Sequence, residues 1–118
     1  MEERLYTASR RGKVEEVKSI LHDHPRIDVN WRSHITNMTS LHFACEKGHN
    51  YILGLLLAHP GIDINPRNTY GHTPMMRACW YERTSCVRLL LRDSRVRVNQ
   101  GDSGGALPLH FIARYGKC

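Results

Sequence analysis

The chain has 118 residues, enough for one compact folding unit, and a formal net charge of +6 that favours acidic partners. No apolar run approaches the roughly 20 residues that cross a bilayer. Charged residues follow Met1 where a signal peptide has an apolar segment. We therefore expect a protein without membrane contacts, in the cytoplasm or the nucleus.

The first predicted helix covers residues 2–11 and carries Leu5 and Ala8 on its apolar side. A second helix follows over residues 14–21, where apolar residues recur at helical spacing. Pro25 ends this region, because the residue before a proline avoids helical angles. Residues 28–37 then extend as a connection to the next helix pair, which we call finger one.

The same order of elements recurs further along the chain. Residues 64–71 form the equivalent connection, which we call finger two. Thr39 and Thr73 each precede the first helix of a pair as N-caps, and Pro74 suits the first helical position. The predicted helices of these two pairs cover residues 40–47, 50–58, 74–81 and 84–92.

A fixed period underlies this recurrence. Residues 5–9, 41–45, 75–79 and 109–113 align as equivalent segments. Ala44, Ala78 and Ile112 follow one another at intervals of 34 residues, a period typical of stacked-repeat proteins. Residues 71–78 read Gly-His-Thr-Pro-Met-Met-Arg-Ala and resemble the Gly-x-Thr-Pro-Leu-His-x-Ala core of the ankyrin repeat family.

This resemblance covers almost the whole chain and implies its architecture. We expect one ankyrin repeat domain over residues 1–118, an all-α solenoid of stacked helix-turn-helix units with short β-hairpin fingers. It has about three and a half repeats. The repeats are predicted at about 1–32, 33–67 and 68–101, with an incomplete one at 102–118.

Two turn positions depart from the family. Asn37 stands where the family has glycine, and asparagine is the best alternative for left-handed backbone angles. Glu82 stands at the turn between two helices, where the family again has glycine. If this turn keeps left-handed angles, Glu82 costs on the order of 1 kcal/mol.

The last unit is incomplete. Its first helix is predicted over residues 108–115, and the chain reaches Cys118 before any second helix. An uncovered apolar side in a repeat stack favours fraying or weak self-association, here through residues 107–118. We also expect the chain to be a fragment of a longer array.

A zinc site and a structural role compete for His42, Cys45 and His49, which lie on roughly one helical face. Gly48 interrupts the helix before His49, and the resemblance implies that His42 hydrogen-bonds near Thr39. We therefore predict no metal and no cofactor. No nucleophile-elbow or metalloprotease motif is present, so we do not expect an enzyme.

The cysteines give no sign of a disulfide framework. Cys45 and Cys79 occupy equivalent helix positions and are predicted to be buried as small apolar side chains. Unpaired cysteines agree with a reducing compartment.

The resemblance implies non-catalytic binding of a protein in a concave groove, which is formed by finger tips and the ends of the first helices. Arginine and aromatic residues dominate binding hot spots, and the basic charge favours an acidic peptide or loop. Packing over the turn at Glu82 is the alternative role for Trp80. The predicted contact residues are Arg10, Arg11, Lys47, Trp80, Tyr81, Arg114 and Tyr115 from the helix ends, and Arg32, Met38, Arg67, Tyr70 and His72 from the fingers.

A second basic set supports a rival hypothesis, the binding of nucleic acid or another polyanion. These residues lie on or beside the second helix of the third repeat and are predicted to face the convex side. They lack interleaved aromatic residues, so a solvated face is the simpler interpretation. The set consists of Arg83, Arg88, Arg92, Arg95 and Arg97.

Overall fold

The computed structural model describes residues 1–97, which contain six α-helices. Their bounds are α1 Glu2–Arg11, α2 Val14–Asp23, α3 Ser40–Lys47, α4 Asn50–Leu57, α5 Pro74–Trp80 and α6 Thr84–Leu91. The six helices predicted within these residues are confirmed, and the largest difference in bounds is at α2, which continues to Asp23. The predicted fourth unit, with Cys118 and the self-association surface at residues 107–118, lies outside the described residues.

The helices form two layers. The first helices α1, α3 and α5 pack against one another, the second helices α2, α4 and α6 form the other layer, and each pair packs across the layers. Ala8, Ala44 and Ala78 are almost fully buried along the first layer. None of these short helices is stable alone in water, so stability comes from the stacking of neighbouring units.

The helix starts follow the predicted chemistry. Thr39 and His42 form a capping box, in which the Thr39 hydroxyl accepts from the His42 N–H and the His42 ring accepts from the Thr39 N–H. The Thr73 hydroxyl accepts from the Met76 N–H at the start of α5. Asn37 and Glu82 have positive φ angles of 58° and 60°, so the left-handed conformation expected at Asn37 is confirmed, and the turn at Glu82 keeps left-handed angles as well.

His42 also joins two repeats. Its Nε2 donates to the carbonyl oxygen of His72 at 2.8 Å, while its Nδ1 accepts from the Thr39 N–H at 3.1 Å. Burial lowers the pKa of His42 from 6.5 to about 4, and the positive charges of Arg77 and Arg32 act in the same direction. The neutral ring is therefore a structural connector, as the sequence predicted.

The fingers differ from the predicted β-hairpins. Among residues 1–97 there is no β-strand, and finger one is closed by a single antiparallel bridge between Arg32 and Thr39. The reason is local hydrogen bonding. The Asn68 side-chain oxygen accepts from the N–H groups of Tyr70 and His72, at 2.9 and 3.0 Å, and thereby takes donors that a strand ladder would use.

Asparagine side chains hold successive units together. Asn30 donates to the Gly61 carbonyl at 2.8 Å, and its side-chain oxygen accepts from the Asp63 N–H at 2.8 Å. Asn65 makes the same pair of bonds one repeat later, to Arg95 and Arg97. The spacing of the fingers is thus fixed by hydrogen bonds as well as by apolar packing.

Replacing Glu82 with glycine should raise the free energy of unfolding by about 0.5–1 kcal/mol, because glycine adopts the left-handed turn without Cβ strain. Urea titration measures the change. Glu82→Ala is the matched control, since it removes the same carboxylate and keeps the Cβ atom. Equal effects of the two substitutions would contradict the strain at this turn.

Acidification should destabilise the protein between pH 6.5 and about pH 4, the ordinary and the native pKa of His42. Below pH 6.5 the unfolded chain takes up a proton on this ring while the folded chain does not. The free energy of unfolding therefore decreases as the pH is lowered, and His42 accounts for up to about 3 kcal/mol of this decrease. Urea titrations across this range should give a smaller pH slope for His42→Gln, and an unchanged slope would contradict the assignment.

Candidate partner-binding surface

The C-terminal ends of α1, α3 and α5 carry exposed basic and aromatic side chains. Because the first helices stack, these ends line one side of the layer. Trp80 and Tyr81 are each 41% exposed, although they follow the buried Cys79. We call this set the helix-end surface, and it consists of Arg10, Arg11, Lys47, Trp80 and Tyr81, all predicted from the sequence.

An ion pair connects the second and third repeats within this surface. Arg77 on α5 donates from both Nε and Nη2 to Oε1 of Glu46 on α3, with the Nε contact at 3.0 Å. The same guanidinium lies 5.2 Å from the centroid of the Tyr81 ring, and its Nη1 lies 3.3 Å from Nδ1 of His72. Arg77 therefore orders the Tyr81 ring beside finger two.

Sequence reasoning missed Arg77 as a site residue, although a signal was present. Arg77 occupies the variable position of the repeat motif, and Phe43 is its equivalent one repeat earlier. Variable positions on a first helix are the ones that the repeat does not need for packing. Comparing the repeats at this position identifies both side chains.

An aromatic cluster covers the neighbouring repeats and was also missed. The ring centroids of Tyr6 and Trp31 lie 5.2 Å apart, and those of Tyr6 and Phe43 lie 5.3 Å apart, both edge to face. The guanidinium carbon of Arg10 lies 5.8 Å from the Phe43 centroid. The three rings are half-buried. Through its contact with Phe43, the cluster anchors Arg10, one of the predicted contact residues.

The fingers present further predicted residues. Tyr70 is 67% exposed, and Arg32 and Arg67 are also exposed. Nη1 of Arg32 donates to the carbonyl oxygen of Arg67 at 3.1 Å, so the two fingers are joined here. His72 is half-buried beside the ion pair.

The prediction that Met38 contacts a partner is wrong, because its side chain is only 5% exposed. Asn68 of finger two covers this side chain, and the Met38 carbonyl accepts from the Ser33 N–H at 3.2 Å. Its sulfur lies 3.2 Å from the Asn68 side-chain nitrogen. The predicted contacts Arg114 and Tyr115 lie outside the described residues.

The sequence of residues 5–102 matches a protein-family model described as "Ankyrin repeats (3 copies)". The chain belongs to the ankyrin repeat family. Ankyrin repeats are protein-interaction modules, and the resemblance inferred from residues 71–78 is confirmed. The layers, the capping box and the left-handed turns described above are the physical form of these repeats in this chain.

Curated relatives carry equivalent ankyrin repeats in longer proteins. The chain is 36% identical over 115 residues to the probable E3 ubiquitin-protein ligase XBOS32 of Oryza sativa subsp. japonica, covering 97% of the chain and 23% of the relative. It is 40% identical over 112 residues to the E3 ubiquitin-protein ligase XBAT33 of Arabidopsis thaliana, with 94% and 21% covered. The tyrosine-protein kinase HTK16 of Hydra vulgaris is 32% identical over 118 residues, with 98% and 15% covered. The chain thus spans less than a quarter of each.

The second basic set of the ankyrin repeats is only partly available for binding. Arg88 on α6, Arg92 at the C-cap of this helix and Arg97 are exposed. Nε of Arg83 donates to the Glu46 carbonyl at 2.8 Å, and Nη2 of Arg95 donates to the Leu57 carbonyl at 3.1 Å. Two members of the set are therefore used to join repeats.

The described residues contain no histidine, cysteine or carboxylate group arranged to hold a metal ion. Burial raises the pKa of the Cys45 thiol, and it raises that of Cys86 to about 11. Cys79 is buried too, so the burial predicted for Cys45 and Cys79 is confirmed. Residues 1–97 also include no helix able to cross a membrane.

Glu46→Gln should lower the free energy of unfolding by about 2 kcal/mol, because it leaves the half-buried Arg77 without its counter-charge. Urea titration measures this change. Glu15→Gln is the control, since it breaks an exposed pair with Lys18 and should have little effect. Equal effects of the two substitutions would contradict a structural role for the Glu46–Arg77 pair.

Proposed function

We propose that this chain is a non-catalytic module that binds an acidic peptide or loop of a partner protein. Binding takes place in a concave groove formed by the helix-end surface and the two fingers. The observation that carries the proposal is the partial exposure of Trp80 and Tyr81, at 41% each, at the same ends of the stacked first helices as the exposed Arg10, Arg11 and Lys47.

The chemistry of these residues suits a binding hot spot. Large aromatic rings offer apolar area with few rotatable bonds, and arginine donates several hydrogen bonds in a fixed plane. Tyr81 is further ordered by the guanidinium of Arg77 before any partner arrives. A side chain that is already ordered loses less conformational entropy on binding.

Charge favours an acidic partner. The helix-end surface carries Arg10, Arg11 and Lys47, while Glu46 is buried and paired with Arg77. Lys47 also lies 3.7 Å from Glu46, so this carboxylate offsets part of the positive charge. The remaining cations should attract carboxylates and increase the association rate.

The relatives support binding rather than catalysis. A similar segment occurs in two proteins named as E3 ubiquitin-protein ligases and in one named as a tyrosine-protein kinase. These names describe different activities, whereas the repeats are common to all three. We therefore assign the shared segment to partner recognition and no catalytic step.

The rival, polyanion binding, rests on Arg88 and Arg92 of α6. A polyanion binder should hold a generic single-stranded DNA at low salt and lose affinity steeply as salt rises. A peptide-binding groove should show no useful affinity for that DNA. Since no aromatic side chain is interleaved with these arginines, whereas Trp80 and Tyr81 lie at the same helix ends as Arg10, Arg11 and Lys47, we favour the peptide.

Replacing Trp80 and Tyr81 together with alanine should weaken binding of a captured protein partner by roughly 30-fold or more, since such residues contribute about 2 kcal/mol or more at hot spots. Partner capture from a lysate followed by titration calorimetry measures the loss. Helical content should be unchanged, as judged by circular dichroism.

The matched control replaces Arg88 and Arg92, which lie in the other helix layer, with alanine. Partner affinity should then stay within roughly two-fold of the unaltered chain. If the variant with alanine at Trp80 and Tyr81 instead shows a large fall in melting temperature and still binds the partner, then Trp80 packs over the Glu82 turn. That result would contradict the proposal.

A further inference from the structure

The fingers expose the two most accessible large hydrophobic side chains of the described residues. Ile35 in finger one is 84% exposed, and Tyr70 in finger two is 67% exposed. Ile35 lies two residues before the turn at Asn37, and Tyr70 lies one residue before the turn at Gly71 in the neighbouring finger. With the exposed Arg32 and Arg67 they form what we call the finger-tip patch. Ile35 is the member of this patch that the sequence analysis did not identify.

The finger-tip patch is held in shape without a partner. The Thr69 N–H donates to the Thr36 carbonyl at 2.9 Å, so the tips of the two fingers are hydrogen-bonded to each other. A second link runs from Nη1 of Arg32 to the Arg67 carbonyl at 3.1 Å. One backbone hydrogen bond and one side-chain hydrogen bond therefore hold the two finger tips, with Ile35 and Tyr70, in position relative to each other.

Carboxylates are sparse along the fingers. No aspartate or glutamate occurs between Asp28 and Glu46, or between Asp63 and Glu82, and these two intervals contain residues 29–37 of finger one and all of finger two. Burial is the main cause of the lowered pKa of His42, and the positive charges of Arg77 and Arg32 lower it further. An anionic ligand would therefore meet no carboxylate along residues 29–37 or 64–71.

We propose that the finger-tip patch binds an acidic segment of a partner protein, with an apolar side chain of that segment packed on Ile35 and Tyr70. Flanking carboxylates of the segment pair with Arg32 and Arg67. This inference rests on the proposed protein-binding function and adds to it the chemistry of the partner: acidic residues that alternate with large apolar ones.

The aliphatic side chain of Ile35 decides between a protein segment and a nucleic acid. Proteins that bind single strands place aromatic rings or arginine planes where bases stack. A branched aliphatic group offers no such plane, and its exposed area is best covered by another apolar side chain. A polyanion would satisfy the arginines and leave Ile35 exposed to water.

Defined peptides test this chemistry directly. The probe is a short fluorescent peptide of aspartate pairs separated by single leucines, and a matched peptide has serine in place of each leucine. Fluorescence polarisation with the full chain should detect the leucine peptide and lose it, by at least roughly ten-fold in affinity, when leucine is replaced by serine.

Substitutions then locate the contact. Ile35→Ser combined with Tyr70→Ser should lower affinity for the leucine peptide at least roughly ten-fold, since both apolar contacts are removed. Tyr51→Ser is the matched control, because Tyr51 is 60% exposed on α4 in the other layer. This control should stay within roughly two-fold. Circular dichroism checks that each variant folds.

Three results would overturn the inference: no binding of the leucine peptide, equal binding of the serine peptide or of oligothymidylate, or unchanged binding by the Ile35→Ser, Tyr70→Ser variant. Any of these results leaves the proposed function intact, provided that the variant with alanine at Trp80 and Tyr81 still fails to capture the protein partner. Failure of that capture experiment, in contrast, removes the proposed function whatever the peptides do.

Discussion

The close packing of the first helices is the constraint on which the rest of this structure depends. Ala8, Ala44 and Ala78 are at most 1% exposed at equivalent positions, and larger side chains there would push the helices apart. Stacking at this distance buries apolar faces that no single helix pair covers alone. The helices, each about two or three turns long, are stable only as parts of the stack.

This packing places equivalent side chains of successive repeats next to one another, and polar contacts follow the same register. Nε2 of His49 donates to the Arg10 carbonyl at 3.2 Å, and Nε of Arg83 makes the corresponding bond to the Glu46 carbonyl at 2.8 Å. Each bond joins the start of a second helix to the end of the first helix in the preceding repeat. Side chains that are not used for packing or for hydrogen bonds between repeats face the surface. The exposed arginine and aromatic residues are found at these positions.

Much of this could be predicted from the sequence, because the signals are local. Caps at Thr39 and Thr73, the period of the alanines and the left-handed turns each depend on residues close in the chain. The burial of Met38 depends instead on finger two, because the Asn68 side chain, 30 residues later in the chain, lies against its sulfur. The Glu46–Arg77 pair joins residues far apart in sequence, so only the stacking of α3 on α5 brings the two charges together.

The central claim is that partners contact the layer of first helices and the fingers, while the layer of second helices faces away. Amide chemical-shift mapping of the labelled chain with a captured partner tests it most directly. The account predicts shifts in finger one, in finger two and at the C-terminal ends of α1, α3 and α5. Shifts confined to α2, α4 and α6 would contradict it.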